Sequence, residues 1–277
     1  SGKKALFTCQ YHGWSYERES GALAGIPQSK VFGDIDRGCH GLESFRAEER
    51  QGLIFVWLTD GENESLGDFL GDTLEAQLAR WAFQRSVVHI DRTFDLEVNW
   101  KLVIDGALDS LHPPYLHPET VAKLVNSRSS VFQDMGRHGR LYQGRRKFKD
   151  VIADGRGHEL SSTYIASILS LYPNTLIMGA PDHVEFWTIW PDLHDPSKCK
   201  INIRFLVRPE ILTPEMEERV NRSYKILVDA QLTEDWPMEL SIQRNIEANP
   251  DAVFVYGRGE VSAQHLHRVL AMDLGDV

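Results

Sequence analysis

The sequence predicts an α+β protein, a small β unit followed by a larger unit that joins antiparallel strands to long helices. Three observations carry this. Apolar or alternating runs at 163–172, 175–179, 183–190 and 200–207 are separated by the turn pairs Pro173-Asn174, Pro181-Asp182 and Asp195-Pro196, which reads as an antiparallel meander. A long helical stretch follows and opens at Thr213-Pro214-Glu215, a capping residue with proline at the first helical position. An earlier helix, over about residues 99–111, runs into Pro113 and Pro114, which cannot continue it.

Composition narrows the partners. A chain of 277 residues has ample core for one large domain or two smaller ones. A net charge of −10 argues against nucleic acid or an anionic membrane as the main partner. The 3 cysteines lie far apart and make no disulfide framework, so an intracellular, cytoplasmic protein is expected. The sequence shows no signal peptide and no apolar run long enough to span a bilayer. It begins at Ser1 without methionine and reads at once as the middle of something, so an incomplete N-terminus is expected.

Along the chain, Cys9 and His12 form a C-x-x-H pair, and Gly13 behind them lets a tight loop turn. A thiolate and an imidazole at this spacing can clamp one metal site. Residues 21–27 read as a loop and residues 28–50 are mixed; Cys39-His40 reads as an ordinary core or loop pair. Residues 52–58 form an apolar strand, and the polar run 59–64 places a domain boundary near residue 60. A short helix at 75–83 precedes a strand at 86–95, in which His89 is a structural histidine. Residues 119–160 carry many Arg, Lys and Gly and read as a mobile loop region with a solvated hairpin. His138 and His158 fall there without ligand spacing.

The chemistry concentrates at Asp109, His112 and His117. Residues five apart on a straight helix point about 140° away from each other, so the two histidines can share a metal only across a break. Pro113 and Pro114 supply one. Asp109, three residues before His112, lies on its helical face and can orient a metal-bound imidazole through the second ring nitrogen. Near the C-terminus, Thr233 reads as the cap of a last helix with acids in its first turn. Asp235, Glu239 and Gln243, spaced by four, share a face of it. Dipole-favoured acids on a solvated helix would look the same. His265 and His267 alternate as on a strand edge and read as a decoy rather than ligands.

Cys9, Gln10, Tyr11, His12, Gly13 and Trp14 resemble the second half of the Rieske signature in ring-hydroxylating oxygenase α subunits. Asn99, Trp100, Lys101, Asp105, Gly106, Asp109, His112 and His117 resemble the same family's mononuclear iron motif, and the Glu234-Asp235 helix its third-ligand segment. The resemblance implies that His112, His117 and Asp235 bind Fe(II), with Glu234 the alternative to Asp235, and that Cys9 and His12 hold a [2Fe–2S] Rieske cluster. Such a centre takes two Cys and two His, and the first pair should lie upstream of Cys9, where this chain has neither residue. Only half of the ligands are present, so an N-terminally truncated sequence is expected. The implied architecture is the remnant of a small all-β Rieske domain over 1–60, then a helix-grip catalytic domain over 61–277, an antiparallel sheet around a long C-terminal helix.

The resemblance further implies a homotrimer, with or without a β subunit. The cluster of one subunit then lies near the iron of the next, and Asp109 is the catalytic bridging acid between its own His112 and a neighbour's His12. A ferredoxin or reductase would supply electrons, and O₂ and iron would hydroxylate a small aromatic or other apolar substrate. Family members that act on quaternary ammonium compounds tend to carry Glu at the bridging position, whereas this chain has Asp109. Leu108, Leu111 and Leu116 suit an apolar pocket and equally suit plain core packing. Two further readings remain at this point: a Rieske monooxygenase or demethylase, and a helix-grip binding module without chemistry.

Overall fold

The computed structural model describes residues 3–58, 64–159 and 161–275. The chain divides into two compact units, Ser1–Leu66 and Gly67–Val277. The polar run expected to mark the boundary falls mostly on residues 59–63, outside the described residues.

In the first unit, β1 (Leu6–Thr8), β2 (Ser15–Glu17) and β3 (Leu23–Gly25) form a three-stranded antiparallel sheet. The 21–27 stretch, expected to be loop, thus contributes β3. A short helix α1 (Ser29–Phe32) follows, then the hairpin of β4 (Ala47–Arg50) and β5 (Leu53–Val56) within the expected apolar run. The β1–β2 connection carries Cys9 and His12. Gly13 N–H closes it onto Cys9 O at 2.9 Å, with φ of 73°, a left-handed geometry that favours glycine.

The second unit opens with α2 (Leu66–Trp81), longer than the helix expected there and kinked at Gly71. β6 (Val87–Leu96) leads into α3 (Trp100–Leu108), whose first turn is capped by Asn99 accepting from Lys101 N–H at 2.9 Å. A short α4 (Pro113–Leu116) carries the two prolines at its start. β7 (Val125–Met135) and β8 (His138–Arg145) then form a long hairpin, followed by the short α5 (Phe148–Ala153). The expectation of a mobile loop fails here because β8 is an inner strand, paired with β7 on one side and β9 (Ile165–Leu171) on the other. β10 (Thr175–Gly179), β11 (Val184–Pro191) and β12 (Cys199–Val207) complete the meander, and β6 adds beside β12. The result is a seven-stranded, wholly antiparallel sheet in the order β6-β12-β11-β10-β9-β8-β7.

β12 shows why this sheet holds. Cys199, Ile201, Ile203, Phe205 and Val207 alternate onto one face and all are buried. Each large side chain there contributes roughly 1.5–3 kcal/mol by leaving water. Against that face lies one continuous helical run, α6 (Pro214–Ala230), a π-helical turn (Gln231–Asp235) and α7 (Trp236–Ala248). Val220, Tyr224, Leu227, Trp236 and Leu240 from this run join Phe205, Ile203 and Trp187 in one core. Thr233 therefore caps nothing; it sits inside the run, and its hydroxyl donates to Asp229 O at 2.7 Å. The wide turn has a local cause, since Pro237 lacks an N–H and its ring would collide with the carbonyl four residues back in a regular α-helix.

The last element, α8 (Val261–Leu274), replaces the strand edge expected at His265 and His267. On a helix these residues diverge. His265 is buried against Phe132 and near Asp134, while His267 bonds Asp105 and Tyr256. Of the leucines beside Asp109, His112 and His117, Leu108 is core and Leu111 is exposed; only Leu116 faces a cavity.

Candidate metal centre

α3 delivers Asp109 at its C-terminal end in extended backbone (ψ 125°), which ends the helix earlier than expected and turns His112 inward. The α4 turn then brings His117 back beside it. His117 Nε2 lies 3.1 Å from His112 Nε2 and 2.9 Å from Asp235 Oδ1; His112 Nε2 lies 3.7 Å from the same oxygen. Two imidazoles and one carboxylate thus converge from two distant parts of the sequence. Among the described residues they are the only group of three or more such donors gathered closely enough to hold a metal ion. Donors about 2.1 Å from a common metal and at right angles would be about 3 Å apart, so these separations fit a single ion.

Each donor is held from behind. His112 Nδ1 lies 3.1 Å from Asp109 Oδ2, and Asp109 Oδ1 accepts the Leu111 N–H at 2.6 Å. His117 Nδ1 donates to Glu234 Oε2 at 2.7 Å, and the Thr120 hydroxyl donates to that same oxygen at 2.7 Å. Gln231 Nε2 donates to Asp235 Oδ2 at 2.5 Å. Such partners fix tautomer and ring orientation. Glu234 thus stands behind His117, and Asp235 supplies the converging oxygen. The π turn makes this possible by letting adjacent acids approach opposite nitrogens of one imidazole.

The field at the site is negative. Burial opposes protonation of His117, but Asp235 and Glu234 outweigh it and raise its pKa. Burial would raise the Asp109 carboxyl, yet the bonds from His112 and the Leu111 N–H hold it below its usual value. A field that retains a proton on imidazole also favours a divalent cation there, which competes for the same nitrogens.

Glu239, one turn beyond Asp235, is buried with Oε2 unpartnered. Gly106 on α3 lets the helices meet, since a methyl there would stand 2.6 Å from Glu239 Oε1. Burial, then the charges of Asp235 and Asp105, push Glu239 up to about 8. The folded chain therefore holds a proton that the unfolded chain, with a carboxyl pKa of about 4.3, has released. The associated stability is complete below about pH 4 and is lost as pH rises through 8. Glu239→Gln is expected to unfold at higher urea than the parent, by a margin that widens from pH 5 to pH 8 and reaches a few kcal/mol at about 1.4 kcal/mol per pKa unit. Urea titrations in chelator check this; a margin flat with pH would remove the assignment.

Cavities of about 220 Å³ and 190 Å³ flank the donors, and Asp109, His112 and Asp235 line both. The larger has apolar walls from Val103, Ile168, Met178 and Trp187, and polar groups from Gln143, Arg145 and Glu185. The Gln143 and Arg145 contribution comes from the region expected to be loop.

Cys9 and His12 sit exposed in the first unit. Backbone N–H groups of Tyr11 and His12 lower the Cys9 thiol's pKa. Among the described residues no third donor gathers with them. Cys39 bonds Asp36 and His40 bonds its carbonyl, as befits a loop pair. Cys199 is buried, and burial pushes its thiol up to about 12, which suits packing rather than ligation. His138 is locked between Phe69 O and Tyr172 N–H, and His89 bonds Asn221. His158 stays on the surface, away from the three donors. The π-turn residue Gln231 and the remote Thr120 were not singled out from sequence. The adjacency of Glu234 to Asp235 was the only signal pointing their way.

A long helix gripped by an antiparallel sheet, with two histidines and one carboxylate converging beside it, defines a helix-grip domain built around a metal-type donor set. The chain belongs to the ring hydroxylating alpha subunit (catalytic domain) family, whose sequence profile matches residues 83–275. It is 34% identical over 125 residues to the glycine betaine monooxygenase oxygenase subunit of Chromohalobacter salexigens, covering 45% of this chain and 27% of that protein. It is 29% identical over 141 residues to the anthranilate 1,2-dioxygenase large subunit of Acinetobacter baylyi, covering 47% and 28%. The matched stretches thus span little more than a quarter of those relatives. In fold it is similar to the quaternary ammonium Rieske monooxygenase CntA in complex with an inhibitor, at a TM-score of 0.77 and 16% identity over 98% of this chain and 73% of that one. Among the described residues no helix is long and apolar enough to cross a membrane.

Proposed function

We propose that this chain carries the catalytic domain of a terminal oxygenase, an oxidoreductase that hydroxylates a small organic molecule. Fe(II) is held by His112 Nε2, His117 Nε2 and Asp235 Oδ1. The convergence of these three atoms, each fixed by an outer partner, carries the reading. A bound iron with two His and one carboxylate keeps further positions open and supplies the means to activate O₂. The protein's part is to present neutral imidazoles, hold them in one orientation, and shield the donors in a largely buried site. The substrate lies in the adjoining cavity, with its apolar or aromatic body against Ile168, Met178 and Trp187 and a polar group toward Gln143 and Arg145. Whether one or two oxygens are inserted follows from substrate placement; the two relatives named above divide between a monooxygenase and a dioxygenase.

In this family a Rieske cluster generally accompanies the iron, and Cys9 with His12 supplies two of its four ligands. Among the described residues no further Cys and His donors gather with that pair. The reading calls for an electron-donating ferredoxin or reductase and for a neighbouring subunit, in a homotrimer, whose His12 meets Asp109.

The test is iron and acid-labile sulfide per chain after anaerobic loading, with an EPR spectrum after reduction. About one iron, no sulfide and no cluster signal are expected. Failure to bind iron would overturn the oxygenase reading in favour of a plain binding module. About three irons with two sulfides would show that this chain completes a cluster after all.

A further inference from the structure

A cavity of about 660 Å³ lies away from the metal donors, none of which lines it. Residues two apart on a strand share a face. On β8, Gln143 and Arg145 line the cavity beside the donors, whereas Arg140 and Tyr142 line this one together with Gln77, Arg80 and Trp81 of α2. The two cavities have only Ser167, Gly179 and Ala180 in common.

Three arginines, Arg80, Arg140 and Arg208, line this space in a protein of net charge −10, and Arg208 Nη2 donates to the Arg80 carbonyl at 3.4 Å. Among the described residues none of the three has a carboxylate partner. Asp182, the one acid in the lining among the described residues, is committed to His183 at 2.7 Å and to Arg219 at 3.1 Å. Arg140 is the central case. Its Nη1 donates to Gln77 Oε1 at 2.5 Å and its Nη2 to Ser167 Oγ at 2.9 Å, both neutral acceptors. Its guanidinium stacks 5.5 Å from the Trp81 ring and 4.8 Å from the Tyr142 ring. Its Nε is buried and has no acceptor. Burial works against its charge, Tyr142 opposes that effect, and the nearby charge of Arg80 adds to it. An arginine cannot escape by losing its proton, so a half-buried guanidinium with a buried Nε–H and no anion is an unfinished pairing. The ring contacts offset part of the cost but give the orphaned Nε–H nothing to bond.

We propose that this cavity binds a small-molecule oxyanion, a carboxylate or a phosphate, whose oxygen completes Arg140 while Arg80 and Arg208 balance the remaining charge. The volume lies in the range of pockets for small organic ligands, and Trp81, Ile165 and Leu206 offer apolar wall to such a body. The site is independent of iron.

Isothermal titration with benzoate and with inorganic phosphate, at ionic strength held constant with chloride, tests it. A site is expected that weakens at least about tenfold in Arg140→Gln and about two- to fivefold in Arg80→Gln and in Arg208→Gln. Tighter benzoate assigns an organic carboxylate and tighter phosphate a phosphate-bearing ligand; either outcome supports the site. If Arg140→Gln fails to fold, Arg80→Gln and Arg208→Gln decide. Unchanged affinity in both, or no binding of either anion above chloride, overturns the proposal.

Discussion

His117→Ala is expected to abolish stoichiometric iron binding. His117 is 2% exposed and contacts both other donors, so its loss removes a ligand and also takes away the imidazole that bridges Glu234 and Asp235. Two donors that remain, one of them with its buried charge uncompensated, cannot hold an ion against water. Metal analysis after anaerobic loading should give about one iron per chain for the parent and less than about a tenth for the variant. The far-ultraviolet spectrum should be retained, since the sheet and long helix rest on a separate apolar core. Equal iron in both proteins would mean that the convergence of donors has no bearing on metal.

Asp109→Asn is expected to separate metal binding from turnover. Asp109 donates no atom to the converging group; it holds His112 by Nδ1. Asparagine keeps the size and can still accept the Leu111 N–H, so the chain path survives. The negative charge behind His112 is lost. Iron content at saturating metal should stay near that of the parent, while product formed per O₂, measured with the electron donor and complete oxygenase, falls by about 10- to 100-fold. A parallel loss of iron would reduce Asp109 to a ligand-orienting role. Unchanged turnover would remove it from the machinery.

Much of this site lay in plain view in the sequence because its parts are local. The helix start near residue 99, the Asp109-to-His112 spacing and the proline break each act within a few residues, and short-range geometry is what spacing encodes. The alternation of β12 was equally readable. The errors share a cause, since they occur where tertiary contacts overrule local preference. Arg140 and Arg145 made β8 look like part of a mobile loop region with a solvated hairpin because charged side chains are seldom placed on an inner strand, yet both faces of this strand border cavities that take its polar side chains. His265 and His267 mimicked a strand over two residues, while the helix around them is fixed by packing against β7 and β8. Thr233 carried every mark of a cap, but a helix already under way passed through it. Thr120 could not be found from sequence, because its bond to Glu234 spans 114 residues.

The wide turn at Gln231–Asp235 has a consequence for chain length. An α-helix rotates about 100° per residue, so one surplus residue would swing everything after it a quarter-turn and more out of line. Here Val220, Tyr224 and Leu227 before the turn and Trp236 and Leu240 after it still press on one surface of the sheet. The spacing of four between Trp236 and Leu240 continues that stripe only if one residue in between is left uncounted. The turn therefore acts as a slip joint: it absorbs a residue, keeps both halves of the helix in phase, and points the uncounted position's neighbours, Glu234 and Asp235, toward His117. Shorten the segment by one residue and the two halves can no longer serve the apolar stripe and the donor oxygen at once.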